Sequence, residues 1–223
     1  GCIVGEPTNV NQMGDTVKIG RRGSFTGSLT VKGIQGHVGY PDLAENPINS
    51  LLKMLEPFSK IYLDKGTNEF QPSSVMVTTI DVNNDASNVI PGEVKAKFNI
   101  RFNTLHSVAS LQSMLKNQFD AITKNYEFDY FCNAEPFLTS DEELKSTLQN
   151  AITKVVNVNP EKSTTGGTSD ARFITKLCPV IEFGLVGKTM HKIDENVEVE
   201  DIMKLTNIYN KFLNNYFRVE KND

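Results

Sequence analysis

Apolar and polar residues alternate with a period of two over 16–34, where Val17, Ile19, Phe25, Leu29 and Val31 recur. That period predicts extended chain, and the turn glycines of Gly20-Arg21-Arg22-Gly23 divide it into two expected antiparallel strands. Residues 2–4 read as the end of a short buried strand. The pattern then becomes helical, with Leu51, Met54, Leu55 and Phe58 on one face. Asn46-Pro47 suits a helix start, because Pro in the first turn forfeits no hydrogen bond. Pro57 is expected to kink or end that helix. Strands follow at 74–82 and 93–103, joined by the turn-rich NNDASNVIPG. Ser107 can cap a helix whose stripe is Val108, Leu111, Leu115, Phe119 and Ile122, and YEFDYF at 126–131 reads as another strand. The expected order over 16–131 is ββαββαβ, a two-layer α+β sandwich with both helices on one face of an antiparallel sheet.

Beyond residue 135 the grammar changes. Ser140-Asp141-Glu142-Glu143 reads as a capping box, with Ser140 as cap and Glu143 reaching back. Leu144, Leu148, Ile152 and Val155 continue the helix. STTGGTSDARFI, the apolar strand PVIEFG and a last helix with Ile202, Leu205, Ile208 and Phe212 on one face complete the chain. Helix, apolar strand and helix in series are α/β grammar. Residues 1–15 and 135–223 are therefore expected to form part of one α/β domain, interrupted by an inserted domain over 16–134.

The 223 residues are 39% hydrophobic and 22% charged, an ordinary globular balance, with a net charge of −4. That charge argues against a nucleic-acid or anionic-membrane partner, and no apolar run approaches the ~18 residues of a membrane span. The opening Gly1-Cys2-Ile3-Val4-Gly5 has neither the charged nor the apolar region of a signal peptide. It starts inside an apparent strand, so the chain is expected to be a piece of something longer. Three widely spaced cysteines without a C-x-x-C point to reduced thiols and a cytoplasmic setting.

Chemistry-bearing residues are few. Glu6 follows a strand in VGEPT, where open α/β sheets bind ligands; a solvated loop glutamate is the plain alternative. His191 lies beyond PVIEFG, either as a surface group or, with Glu6, as one of two donors compatible with zinc. Two donors are too few for a site. TTGGTSDAR offers glycines and hydroxyls that can hold an anion at the start of a helix over 170–176, or can merely cap it. It follows no clear strand. In FNIRFN the residues Phe98, Ile100 and Phe102 face the core, leaving Asn99, Arg101 and Asn103 on the other side. Arg101 is there either solvated or a carboxylate clamp. His106 reads as a surface residue. His37, in GIQGHVGYP, has no chemical partner nearby in sequence.

CIVGEPT, the long GDTVKIGRRGS…GHVGYP…NPI block, SNVIPGE, FNIRFN, GGTSDARFI and MHKIDENV occur in this order. Together they resemble the desuccinylase branch of the dinuclear-zinc aminoacylase and carboxypeptidase family of metallopeptidases, over essentially the whole chain. The resemblance implies a zinc-peptidase-like α/β catalytic domain interrupted by a dimerisation domain, and a homodimer. It implies hydrolysis of the amide of N-succinyl-LL-2,6-diaminopimelate, a small polycarboxylate, with two zinc ions that cobalt can replace. Glu6 and His191 match terminal ligands, one for each zinc. Ser24, Asn88, Arg101, Gly167 and Thr168 match substrate contacts. His37 matches an oxyanion donor that serves the other subunit's site. The bridging aspartate, the general-base glutamate and the remaining ligands belong to His-x-Asp and Asp-Glu-Glu motifs that precede the Glu-Pro motif in the family. This chain begins after them, so by itself it is expected to be inactive and to hold no zinc. Two departures stand out: Gly187 where some members carry a product-binding Asn, and Asp42 where His is frequent. Acetylornithine deacetylation, an aminoacylase activity, or a non-catalytic dimerisation and ligand-binding role for the piece alone remain as alternatives.

Overall fold

The computed structural model describes residues 1–219. It divides into two compact units, Arg22–Pro136 and the pair of segments comprising Gly1–Arg21 and the chain from Phe137 onward. The architecture is mixed α/β, with an α+β sandwich inserted in the sequence between the two segments of an α/β unit.

The Arg22–Pro136 unit is built on an antiparallel sheet in the order Ser74–Asp81, Glu93–Phe102, Gly23–Lys32, Tyr126–Ala134. Alternation sends Phe25, Leu29, Val31, Val94, Ala96, Phe98, Ile100 and Phe102 to one face. There they pack with Leu51 and Met54 of helix Pro47–Leu55 and with Leu111, Leu115 and Phe119 of helix Val108–Asp120. The two layers thus share one aromatic core. Gly27 lies opposite Phe98, and a Cβ there would sit 2.2 Å from the ring, so the strand yields its side chain to the core. The helix starts are as the residues suggest. Asn46 accepts from the Ile48 amide at 3.0 Å, and Ser107 and Ser110 exchange side-chain and backbone bonds in a capping box. A 3-10 turn over Glu56–Lys60 replaces the α-helix at Pro57.

The first expected strand pair is not formed. Thr16–Lys18 pairs with Glu161–Ser163 and, through Lys18, with Glu182, so it belongs to the other unit. The sandwich reads βαββαβ rather than ββαββαβ, and a two-residue ladder, Gly36–His37 with Val89–Ile90, is added to it. The domain boundaries expected at 15/16 and 134/135 lie at 21/22 and 136/137. Ile122, expected on the helical stripe, falls past the helix end and is exposed.

The second unit has a sheet in the order Cys2–Val4, Val180–Glu182, Thr16–Lys18, Glu161–Ser163. Its outer pairs are parallel, and its centre is one antiparallel pair, Glu182 with Lys18. Helices Glu142–Val156 and Val199–Tyr216 bury Leu144, Leu148, Ile152, Ile208 and Phe212 against Val17, Ile181 and Phe183. Ile202, expected on that face, is exposed. The cap of the first helix is Asp141, whose side chain accepts from the Leu144 amide at 2.9 Å, not Ser140. Residues 220–223 of the expected catalytic segment lie outside the described residues. Among the described residues no helix is long and apolar enough to cross a membrane, and all three cysteines are free.

Candidate functional site

Strands Cys2–Val4 and Val180–Glu182 run parallel as neighbours, so the chain leaves both on the same side of the sheet. Glu6 and His191 follow these two strand ends and line one open cleft of about 560 Å³, together with Lys18, Arg21, Gly166–Thr168 and Gly187. Glu6 is half-buried; His191 is exposed at φ +61°, its amide donating to Glu195 Oε2 at 3.2 Å. A carboxylate and an imidazole suit zinc in kind, but a tetrahedral site needs more donors. Among the described residues no group of three His, Cys, Asp or Glu could hold a metal ion.

The glycine-rich turn forms another wall. It does follow a strand, Glu161–Ser163, whose residues carry no apolar signal. The expected helix over 170–176 is a single turn, Ala171–Ile174, and its cap residue Asp170 makes no side-chain bond to it, so the anion-holding geometry of a long helix start is absent. Gly166, at φ +106°, is the glycine the turn requires; a Cβ there would also lie 2.4 Å from Arg21 Nη1. Gly167 faces open space.

Buried polar groups fix the turn from beneath. Lys18 Nζ donates to Ser163 Oγ at 2.9 Å and Thr165 Oγ1 at 2.7 Å. Arg21 donates to the Thr165 carbonyl at 3.2 Å and, through Nε at 2.9 Å, to Glu182 Oε2. Ser169 donates its hydroxyl to the other oxygen of Glu182, which is fully buried. Burial, reinforced by the charge of Arg21, holds the Lys18 amine below the ordinary lysine range. Lys18, Arg21, Gly166, Ser169 and Glu182 were not singled out by sequence reasoning. The available signal was a charge inside an apolar strand, Glu182 within PVIEFG; Lys18 lies in the polar phase of the 16–34 alternation and gave none.

In the sandwich unit Ser24 and Arg101 are register partners, with Ser24 buried and Arg101 half-buried. Asn99 donates to Ser24 Oγ at 3.2 Å and Thr26 Oγ1 at 2.9 Å. Asn103, expected beside Arg101, lies past the strand end instead. It is buried, donating to Asp64 Oδ1 at 2.9 Å and the Gln71 carbonyl at 3.2 Å. His106, expected at the surface, sits with Nε2 3.2 Å from Asp64 Oδ2. Burial works to raise the Asp64 pKa. Hydrogen bonds from Ser73, Gly66 and Asn103 outweigh it and hold the carboxyl below its usual value.

His37 and Asn88 meet at the two-residue ladder. His37 pairs with Val89, and the Asn88 carbonyl accepts from the Val38 amide at 3.0 Å. The imidazole is exposed, and its Nδ1 accepts from the Gly39 amide at 3.0 Å. A ring nitrogen that accepts carries no proton, so in the neutral ring the proton is on Nε2, which is then the donor nitrogen. Gly36 and Gly39 are needed for space, not for a left-handed backbone: neither has positive φ. Their Cβ atoms would come 2.7 Å from Ala44 Cβ and 3.1 Å from His37 Nδ1. Asp42 is exposed. At Gly187 a Cβ would lie 3.3 Å from the Pro7 carbonyl, a tight fit for an Asn.

Comparison with known proteins adds the following. Residues 19–127 match the peptidase dimerisation domain. The chain is 52% identical over 220 residues to the succinyl-diaminopimelate desuccinylase of Pelagibacter ubique, covering 97% of this chain and 57% of that protein. With the enzyme of that name from Parvibaculum lavamentivorans it shares 50% identity, covering 97% and 56%. It thus spans less than three-fifths of the length of these relatives. Its fold resembles a tripeptidase from Staphylococcus aureus (TM-score 0.73, 16% identity, covering 94% of this chain and 55% of that one). It also resembles an M20 family metallo-carboxypeptidase from Sulfolobus solfataricus (TM-score 0.71, 16% identity, covering 94% and 61%).

Proposed function

We propose that the chain belongs to the metallopeptidase family that carries this dimerisation domain, in its succinyl-diaminopimelate desuccinylase branch, and that in a protein of the relatives' length it takes part in hydrolysing the amide of N-succinyl-LL-2,6-diaminopimelate. The products are succinate and LL-diaminopimelate. The observation that carries this reading is identity of about half the residues along 97% of the chain. The cleft that gathers Glu6, His191, Gly167 and Thr168 supports it.

In this reading Glu6 and His191 each give one terminal ligand to one of two zinc ions, and segments outside this chain give the rest and the general base. When bound, the metals supply Lewis-acid polarisation of the amide carbonyl and an acidified water. The chain's own groups do the remainder. Gly167 and Thr168 on the glycine-rich turn, with Ser24, Asn88 and Arg101, hold carboxylates and orient the amide. Arg101 suits a carboxylate best, because its planar fork gives two parallel charge-assisted bonds. His37 donates from Nε2 to the oxygen of the tetrahedral oxyanion. Removing one such donor typically lowers kcat by 10²–10³. Its Nδ1 bond to the Gly39 amide supports that role by fixing which nitrogen donates. The protein acts as a homodimer in which His37 of one subunit serves the site of the other.

The test uses the full-length protein. Subunits carrying His37→Ala are mixed with subunits inactivated by His191→Ala. Recovered activity supports the reading, because a heterodimer then contains one intact site. No recovery, although heterodimers form, refutes the service in trans. The chain by itself should bind no zinc tightly and hydrolyse nothing; stoichiometric zinc by elemental analysis would overturn that part.

A further inference from the structure

Strand pairing places two guanidinium groups on one face of the four-stranded sheet. Ser24 lies opposite Arg101, and Gly23 opposite Phe102. Side chains alternate along a strand, so Arg22, the residue leading into Gly23–Lys32, continues the row Thr26, Ser24 on the face away from the aromatic core. Arg101 continues the adjoining row from Asn99, and Ser74 stands beside Arg101 on the third strand. Both arginines are half-buried. Among the described residues neither forms an ion pair with a carboxylate.

Among the described residues the Arg22 side chain has one hydrogen bond, from Nη1 to the Pro72 carbonyl at 3.1 Å, while its Nε is buried with no acceptor. The neutral polar groups nearby, Ser24 and Asn99, are engaged with each other. Burial and the neighbouring charge of Arg101 both work against the Arg22 cation. Two like charges, half out of water, with spare donors and no counter-ion, form an arrangement that an anion would relieve.

We propose that Arg22 and Arg101 together form a carboxylate clamp, and that Arg22 sets the preference for substrates bearing a carboxylate remote from the scissile amide. The clamp deepens the hydrolytic reading above and rests on it for the identity of the reaction. The carboxylate it holds is either that of the succinyl group or the second α-carboxylate of the diamino acid.

Three substrates separate these sources in the full-length enzyme: N-succinyl-diaminopimelate, N-acetyl-diaminopimelate, which lacks the succinyl carboxylate, and N-succinyl-lysine, which lacks the second α-carboxylate. Arg22→Gln should lower kcat/KM on the first about ten- to hundredfold, mainly through KM, as expected for loss of a charge-assisted bond. On the analogue missing the clamped carboxylate it should change kcat/KM less than about threefold. Arg22→Lys should fall between, since it keeps the charge but not the fork. It also carries the comparison if the Gln variant does not fold. Unchanged values, or one common factor on all three substrates, would overturn the clamp, because a structural role would move them together. Should the wild-type protein hydrolyse none of the three, the hydrolytic reading falls. Calorimetric titration of this chain with succinate then decides the clamp alone. Binding that Arg22→Gln weakens tenfold or more supports it; no binding, or binding the variant leaves unchanged, overturns it.

Discussion

Replacing Arg21 with Met tests whether the glycine-rich turn is held by a buried ion pair. The Arg21 and Glu182 side chains are 11% and 0% exposed. Arg21 reaches Glu182 Oε2 through two nitrogens, and Ser169 donates to the other oxygen. Met preserves much of the aliphatic stem and deletes the charge. Glu182 then keeps one neutral donor inside a dry setting, and orphaning a buried charge costs about 3–5 kcal/mol. Lys18 limits the loss, since its charge also acts on Glu182, so the lower figure, about 3 kcal/mol, is expected. That is about a hundredfold in the unfolding equilibrium. A second variant adds Glu182→Met, which removes the orphaned charge and should recover at least half of the loss, because paired removal is often near neutral. The assay is urea unfolding of this chain by circular dichroism, fitted with separate transitions for the two units. A loss below about 1 kcal/mol for Arg21→Met, or a double variant no more stable than the single one, would refute the argument.

Two further outcomes follow from the sandwich unit. Gly27→Ala places a Cβ 2.2 Å from the Phe98 ring and should destabilise that unit by about 1–3 kcal/mol on its urea transition; an unchanged midpoint would mean the ring can step aside. Asp64 has its pKa lowered from 3.8 in the folded state, with hydrogen bonds overcoming burial, so its stabilisation is complete above 3.8 and is lost as pH falls through the folded value. Unfolding measured down through that window should show a steeper loss for the wild-type protein than for Asp64→Asn, and equal slopes would contradict the assigned cause.

What could be read from the sequence was what repeats. Phe25, Leu29, Val31, Phe98, Ile100 and Phe102 keep a strict period of two, and Leu111, Leu115 and Phe119 keep a helical one, so the sandwich core was legible. The other unit uses strands of three residues, too short to show a period, and Glu161–Ser163 has no apolar residue at all. That is why alternation alone puts the boundary at 15/16. Thr16–Lys18 continues the alternation of the strand after it, and only its partners, Glu161–Ser163 and Glu182, reveal that it pairs elsewhere. Glu6, His191, Gly167 and Thr168 were legible as chemistry, but the supports of the turn were not. Glu182 occupies a position where PVIEFG expects an apolar residue, and such an exception reads as noise until its partner is known; Lys18 sits in the polar phase between Val17 and Ile19 and reads as an ordinary solvated lysine.

His37 shows the same blindness from another side. Its ring has a tilted contact with Tyr40, centroids 5.8 Å apart, but its Nδ1 is engaged by a main-chain N–H that almost any residue could provide. The residue type at 39 still matters, for a reason of volume: a Cβ at Gly39 would lie 3.1 Å from Nδ1, so the ring would have to give by a few tenths of an ångström. The glycine therefore acts on the imidazole by what it lacks. It leaves room for a hydrogen bond that fixes the tautomer, and the tautomer puts the proton on the nitrogen that the local backbone does not engage. A donor for a developing negative charge needs that arrangement before substrate arrives, because an imidazole that had to exchange tautomers would lose the benefit of being set in place beforehand. The isolated look of this histidine in the sequence is thus consistent with the service in trans proposed for it: its own neighbourhood orients the ring and leaves the working nitrogen free for chemistry supplied from elsewhere.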